Sequence, residues 1–80
     1  MKDNAYVAMR NENFKNEDFS NRNFYGSLFE NVVFKNCDFT NSDFEACVII
    51  GCTFDDCVID EETMFQIGDC VGGKNIIIEL

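Results

Sequence analysis

A bulky apolar residue stands at every fifth position of this 80-residue chain between residues 9 and 59. The α-helix repeats every 3.6 residues and the β-strand every two, so neither element alone accounts for a period of five. A pattern held this long indicates a repeat architecture in which each unit of five residues is one structural element. We call the bulky residue the centre of its unit, and the centres are Met9, Phe14, Phe19, Phe24, Phe29, Phe34, Phe39, Phe44, Ile49, Phe54 and Ile59.

Two further positions of each unit are restricted. The residue two before the centre is small in every unit from Ser27 onward. The residue two after the centre is mostly Asn or Gly, which are the residues that tolerate left-handed or tight-turn backbone. The spacing therefore predicts a corner in the chain every five residues.

The resulting pattern of a small residue, Asp or Asn, Phe, a polar residue, and Asn or Gly resembles the pentapeptide-repeat family. CDFTN at 37–41 and SDFEA at 42–46 are close matches. The resemblance covers residues 7–61 without a gap, and ETMFQ at 62–66 is interpreted as a degenerate twelfth unit.

This resemblance implies an all-β fold, a right-handed quadrilateral β-helix with one unit per side and four units per coil. The centre and the small residue of each unit then point inward. Residues 1–6 are expected to be an N-terminal lead-in, residues 7–66 a β-helix of about three coils, and residues 67–80 a C-terminal capping or dimerisation segment.

Coils that repeat every twenty residues predict which centres stack on one another. The predicted stacks are Phe14–Phe34–Phe54, Phe19–Phe39–Ile59, Phe24–Phe44–Met64 and Met9–Phe29–Ile49.

The first coil departs from the pattern. In it, Glu12, Glu17 and Arg22 occupy the inward small position, where a buried charge is costly. Either the first coil is frayed, or its open end lets these side chains reach solvent.

The charge of the chain is strongly acidic and unevenly distributed. Fifteen acids, six bases and no histidine give a formal charge of −9, which argues against direct binding to nucleic acid or to an anionic membrane. No base occurs between Lys35 and Lys74. Stacking by twenty places the acids on one wall of the rod and toward its C-terminal end. The candidate partner-binding residues are Asp18, Asp38, Asp43, Glu45, Asp55, Asp56, Asp60 and Glu61.

Two interpretations of this acidic wall stay open. One is a solvated face that keeps a Phe-rich protein soluble. The other is DNA mimicry, because a regular lattice of carboxylates imitates closely spaced phosphates, whereas a merely soluble surface usually mixes both signs of charge. The resemblance points to mimicry as well, since some pentapeptide-repeat proteins are similar to duplex DNA in shape and charge.

Members of that kind protect DNA gyrase from inhibitors or toxins, and small ones serve phages as anti-CRISPR proteins that occupy the DNA-binding surface of the Cascade complex. A solenoid of three coils is too short to imitate a long segment of duplex DNA, which favours a compact molecule that blocks a binding cleft. The leading hypothesis is an inhibitor that binds the basic surface of a Cascade subunit and blocks target DNA. The alternatives are a gyrase-binding protein that also acts by DNA mimicry, and a structural protein-interaction module.

A second candidate surface is apolar. Ala8, Leu28 and Val48 share the outward position before the centre on the fourth side, and Ile50 lies beside them. An outward aliphatic column requires cover. Either the C-terminal tail docks on it, or Leu28, Val48 and Ile50 contact a second copy or another partner. A homodimer through one end of the solenoid is a further expectation.

Five cysteines, at positions 37, 47, 52, 57 and 70, fall mostly on the repeat and are interpreted as small core residues. Cys37 and Cys57 stack one coil apart, a separation that is also compatible with a disulfide. The chain has no histidine and no C-x-x-C motif, so we expect neither a metal site nor a cofactor.

Features of enzymes and of membrane proteins are missing from the sequence. No histidine is available as a base and no glycine-rich phosphate loop occurs, so we expect no catalytic activity. The N-terminus has no apolar signal segment, and the apolar run at 76–78 is far too short to span a bilayer. We therefore expect a soluble protein of the cytoplasm, that of the host cell if a phage encodes it.

Overall fold

The fold is a four-sided β-helix closed at its C-terminal end by a short α-helix. The computed structural model describes residues 2–3, 5–68 and 77–79. Its elements, in chain order, are β1 (Lys2–Asp3), β2 (Ala8–Arg10), β3 (Asn13–Lys15), β4 (Arg22–Asn23), β5 (Leu28–Glu30), β6 (Val33–Lys35), β7 (Val48–Ile50), β8 (Thr53–Asp55), α1 (Glu61–Gly68) and β9 (Ile77–Glu79).

The strands stack in parallel, one coil above the next. Side 1 contains β3, β6, β8 and β9, side 3 contains β1 and β4, and side 4 contains β2, β5 and β7. Side 2 consists of single parallel bridges from Asp18 to Asp38 and from Asp38 to Val58. The register between successive coils is twenty residues, as in the pairing of Phe14 with Phe34 and of Phe34 with Phe54. The predicted β-helix is therefore confirmed.

A corner with left-handed backbone follows every side. Positive φ angles between 53° and 71° recur at five-residue intervals, and Asn or Gly provides most of them because these residues adopt that conformation at the least cost. The asparagines also bond to one another across coils. The Nδ2 groups of Asn31, Asn36 and Asn41 donate to the Oδ1 atoms of the asparagines twenty residues earlier, at 2.7 to 2.8 Å. The predicted corners are thus confirmed.

The core consists of stacked phenylalanine rings. On side 1 the ring centroids of Phe14 and Phe34 lie 5.5 Å apart, and those of Phe34 and Phe54 lie 5.0 Å apart, with nearly parallel planes. Rings on neighbouring sides meet edge to face, as do Phe34 and Phe39 at 5.0 Å. Both geometries suit the quadrupoles of the rings. The predicted Phe–Phe stacks on sides 1, 2 and 3 are confirmed, and Phe29 pairs with Met9 and Ile49 on side 4 as expected.

The β-helix begins earlier than the sequence indicates. Strand β1 pairs with β4, so Lys2 and Asp3 lie beneath Arg22 and Asn23 as the start of a further unit. The backbone N–H of Tyr6 donates to the Tyr25 carbonyl at 2.9 Å, and Tyr6 itself has the positive φ of a corner. In the sequence, the five-residue register assigns the centre of this unit to a polar residue, Asn4. The apolar pattern therefore could not reveal it.

At the other end, the interpretation of residues 62–66 as a twelfth unit was wrong. These residues lie in α1, whose Thr63 and Ile67 are buried against the top of the solenoid, whereas Met64 is only partly buried. The Oε1 atom of Gln66 accepts a hydrogen bond of 2.9 Å from the backbone N–H of Phe44. The helix thus binds the edge of side 3 that another coil would have covered, and Met64 does not complete the stack of Phe24 and Phe44.

The charged residues of the first coil reach solvent, as one of the two alternatives predicted. Glu12 and Glu17 are exposed, and the guanidinium of Arg22 lies over the ring of Phe19, 5.4 Å from its centroid. Charges at an open end of a β-structure oppose the addition of further strands. This end of the rod is therefore protected by side chains of its own first coil.

The C-terminal strand adds a fourth layer to side 1. Ile77 pairs with Thr53, and Glu79 pairs with Asp55. This part of the tail does not lie over the aliphatic column of side 4, and the rest of the tail, 69–76 and 80, is outside the described residues. In that column Ala8 and Ile50 are exposed, whereas Leu28 and Val48 are partly buried. The expectation that the column contacts a second copy stays a prediction.

Candidate interaction site: an acidic groove beside the C-terminal helix

Helix α1 begins at a capping residue, Asp60. The Asp60 carbonyl accepts the first helical hydrogen bond from the N–H of Met64, at 2.9 Å, and its Oδ1 atom accepts one from the backbone N–H of Asn41, at 3.2 Å. The hydroxyl of Thr63 lies within reach of both the Asp60 carboxylate and the Ser42 carbonyl, the latter at 3.1 Å. This contact with the Thr63 side chain lowers the pKa of Asp60 below its ordinary value. Asp60 therefore fixes the helix to the corner at Asn41.

The junction of α1 with side 3 forms a groove of about 220 Å³. One wall is the corner and turn at residues 41–45, and the other is the first turn and a half of α1. Four carboxylates and no base line it. The lining residues are Asn41, Ser42, Asp43, Glu45, Asp60, Glu62, Thr63 and Gln66.

Asp43 is held in this groove by its own turn. Its Oδ1 atom accepts a hydrogen bond of 2.9 Å from the backbone N–H of Glu45, which is the Asx-turn geometry. On the equivalent turn one coil below, Asn23 accepts the same bond from Tyr25. The charge of Asp43 is thus not needed for the turn itself.

The structure divides the predicted acidic wall into separate regions. Asp43, Glu45 and Asp60 come together in the groove. Asp18 and Asp38 lie on side 2, where each accepts hydrogen bonds from the backbone N–H and hydroxyl two residues on, in Ser20 and Thr40. These two aspartates therefore stabilise local turns in addition to contributing charge.

The remaining predicted acids lie on other faces of the C-terminal end. Asp55 is in β8 on side 1, in register with Lys35, and Asp56 is the exposed corner that follows. Glu61 lies on the exposed face of α1, where it lines a shallow depression with Glu62 and Phe65. The eight residues are thus distributed over several faces and all the coils of the solenoid instead of forming one flat wall.

Glu62 and Gln66 belong to the groove but are not among the residues predicted from the sequence. Both depend on α1, which was interpreted as a β-unit. The sequence did contain a signal, because an Asp followed by two Glu is typical of a helix N-terminus with acids in its first turn.

The cysteines of the solenoid form no metal site and no disulfide. Cys37, Cys47, Cys52 and Cys57 are buried free thiols. Burial raises the pKa of Cys37, Cys52 and Cys57, which keeps these thiols protonated. Among the described residues, no three His, Cys, Asp or Glu side chains are placed to hold a metal ion. Cys70 lies outside the described residues.

No helix in the part of the chain that the structure describes has the length and apolar character needed to cross a membrane.

Neither a curated protein nor a solved structure matches the chain. A family model for pentapeptide repeats matches residues 13–49 with eight copies. That segment contains most of the stacked phenylalanines and asparagine corners described above, and residues 13–49 of the chain are repeats of the pentapeptide-repeat family.

Proposed function

We propose that this protein is a non-enzymatic inhibitor that imitates duplex DNA and occupies the basic DNA-binding surface of another protein. A pentapeptide-repeat scaffold is a protein-interaction type of module, and DNA mimicry is the specific form of interaction proposed for this one. The observation that carries the proposal is the groove in which Asp43, Glu45, Asp60 and Glu62 converge with no base among them.

The density of charge is of the right order for a mimic. Duplex DNA carries one negative charge per ~1.7 Å, so a segment as long as the 26 Å longest dimension of this protein carries roughly 15 charges. The formal charge of −9 is more than half of that value. Residues 41–68 contribute seven acids and no base, so the charge is concentrated in the C-terminal half of the solenoid, and four of the seven acids line the groove.

A charge of this sign and density selects the class of partner. An acidic surface repels nucleic acid and anionic lipid, and it is attracted over long range to a cleft lined by Lys and Arg. Clefts of that kind are common where proteins bind DNA through its phosphates. The solenoid holds the carboxylates in fixed positions, which reduces the entropy lost on binding.

The size of the molecule favours a compact target surface. Its dimensions of 26 × 24 × 21 Å allow it to block a cleft and not to replace a long duplex. The Cascade complex, in the cytoplasm of a bacterial host, is therefore the first target to test, and DNA gyrase is the second. A structural interaction module without a role in DNA binding is the alternative outcome.

The test is competition between this protein and a labelled target duplex for purified Cascade, with gyrase in parallel. The decisive variant is Glu45→Gln/Glu62→Gln, which removes two charges from the groove. Its matched control is Glu12→Gln/Glu17→Gln, which removes two charges from exposed residues at the opposite end. Circular dichroism verifies that both variants fold.

We expect the groove variant to lose competition and the control to retain it, with inhibition by the wild type weakening steeply between about 50 and 200 mM salt. Equal loss in the two variants would show that only net charge matters. No competition on either target, or binding independent of salt, would contradict the mimic and leave the interaction module.

A further inference from the structure

Phe65 is an exposed aromatic residue on α1. Its side chain retains 68 % of its accessible surface, more than any other phenylalanine among the described residues. The opposite face of the helix, with Thr63 and Ile67, is buried against the solenoid. Successive helical residues are about 100° apart, so Phe65 points roughly 200° away from Thr63 and Ile67.

The attachment of α1 does not require Phe65. Ile67 fills the space above the core, the Thr63 hydroxyl lies 3.1 Å from the Ser42 carbonyl, and Gln66 binds the backbone of Phe44. If α1 served only to cap the solenoid, a polar residue would be better suited than Phe to this solvent-exposed position. A large aromatic side chain left in solvent is characteristic of the centre of a protein interface.

Carboxylates surround this aromatic residue. Glu61, Glu62 and Phe65 line a shallow depression of about 330 Å³. Glu62 also lines the acidic groove, so the depression and the groove form one continuous surface. An apolar side chain flanked by acids on such a surface complements an apolar pocket with basic residues at its rim.

The charges also argue against other occupants. A second copy of this chain that presented the same surface would place its own residues 41–68, with seven acids and no base, against the same sign. An anionic bilayer would be repelled in the same way. The C-terminal residues 69–80 contain Asp69, Lys74 and Glu79, a net charge of −1, and are not complementary either.

We propose that Phe65 is the apolar anchor of the acidic surface, and that it inserts into an apolar pocket ringed by Lys or Arg on a protein partner. This inference rests on the proposed function and specifies the chemistry of its partner. The carboxylates attract the protein to basic clefts in general, which governs the association rate and its salt dependence. Phe65 selects, among those clefts, the one with a pocket beside it, and it slows dissociation.

The first measurement tests whether the Phe65 side chain contributes to the stability of the fold. We compare urea unfolding of the 80-residue wild type with Phe65→Ala and with Val58→Ala, a control at another exposed apolar residue that retains 60 % of its surface. Unchanged midpoints are expected for both variants. A clear loss of stability in Phe65→Ala alone would show that the chain covers this side chain itself, and would overturn the proposal.

The second measurement identifies the chemistry of the pocket. The folded wild-type protein is used to select from a display library of random short peptides, and we expect enriched peptides to contain apolar residues flanked by Lys or Arg. Synthetic versions of these peptides should bind Phe65→Ala at least ~10-fold more weakly than the wild type. They should bind Val58→Ala and Glu12→Gln/Glu17→Gln equally well.

Enrichment of basic peptides without apolar residues, no enrichment, or equal binding to Phe65→Ala would each overturn the anchor. This result is independent of the Cascade and gyrase competition. If the peptides depend on Phe65 while neither target is inhibited, DNA mimicry fails and the anchor stands.

Discussion

The hydroxyl of Ser42 donates a hydrogen bond of 2.6 Å to the backbone carbonyl of Phe19, which precedes it by 23 residues and lies one coil below. The thiols at the same repeat position do the same across the same sequence separation, Cys47 to Phe24 at 3.0 Å and Cys52 to Phe29 at 3.2 Å. The small side chain that points inward in each of these units therefore has a second role besides fitting the available space. It supplies a donor for a carbonyl that the solenoid has removed from water.

These thiols should be chemically inert in the folded protein. Burial excludes reagents, and the raised pKa of Cys37, Cys52 and Cys57 keeps the reactive thiolate form scarce. In a Cys70→Ser variant, we expect a thiol reagent at pH 8 to label the protein no faster than it unfolds, and to label four thiols in denaturant. Rapid labelling without denaturant would contradict the packed interior.

Phe39 should be essential for the stability of the fold, because it lies in the middle coil and packs against four other phenylalanine rings. It is fully buried and contacts Phe19, Phe34, Phe44 and Phe54. Phe39→Ala should cost ~3–5 kcal/mol, a large part of the roughly 4–12 kcal/mol expected for a domain of this size. Phe39→Asp should not fold. Urea unfolding followed by circular dichroism measures both, and a small effect of the alanine would mean that the stack repacks.

Asp56 occupies a corner that the coils below fill with asparagine. Its φ is 53°, and Asn36 donates to Asn16 in the two preceding coils at 2.7 Å. Asp56→Asn should extend this ladder by one hydrogen bond and remove one charge from an acidic region. We expect a gain of about 0.5 kcal/mol, or ~2–4 °C in Tm. Thermal unfolding measures it, and a lower Tm would show that the ladder does not continue.

Gly26 and Gly51 occupy equivalent corners but differ in their surroundings. A Cβ atom on Gly26 would lie 2.7 Å from the ring of Tyr6, whereas one on Gly51 would meet nothing within 4 Å. Ala46 adopts the same φ, so Gly51→Ala should cost only ~1 kcal/mol. Gly26→Ala should cost more, because the Tyr6 ring must move.

A thermodynamic cycle isolates that difference. In a Tyr6→Ala background, we expect Gly26→Ala and Gly51→Ala to have the same effect on the free energy of unfolding. A persistent difference would show that something other than the Tyr6 ring restricts Gly26.

The cap at Asp60 should make stability depend on pH in a defined direction. The pKa of its carboxyl is lowered in the folded protein, chiefly by the Thr63 side chain. Such a group stabilises the fold above its unfolded pKa, about 3.9, and loses this effect as the pH falls through the lower folded value. Asp60→Asn keeps a capping oxygen but cannot ionise.

We therefore expect the wild type to exceed Asp60→Asn in stability at pH 7 and to approach it below about pH 4. Urea unfolding at a series of pH values measures the difference between the two proteins. A difference that grows as the pH falls would contradict the assignment.

The sequence revealed the parts of the fold that one residue per unit controls. A single apolar side chain such as Phe34 determines the stack, and a single residue able to adopt positive φ, such as Asn36, determines the corner. The first unit was missed because Asn4 is polar, although backbone pairing of Lys2 with Arg22 needs no apolar centre.

The last unit was misinterpreted for the opposite reason. Met64 maintains the period of five, but the capping interaction of Asp60 with Thr63 favours a helix over residues 61–68 instead. The groove follows from this helix. Its acids are separated by up to about twenty residues, from Asp43 to Glu62, and only the contact of α1 with side 3 brings them together.

The two ends of the rod are finished by different residues from those that repeat in its middle, charged side chains at one end and α1 with β9 at the other. Length and recognition are therefore separable properties of this chain. Duplicating residues 27–46 would insert one more coil and lengthen the rod by about 4.8 Å, while the surface around the helix would be carried outward unchanged. The scaffold is adjustable in whole coils, so a series of such variants would measure how deep a cleft the proposed inhibitor can enter.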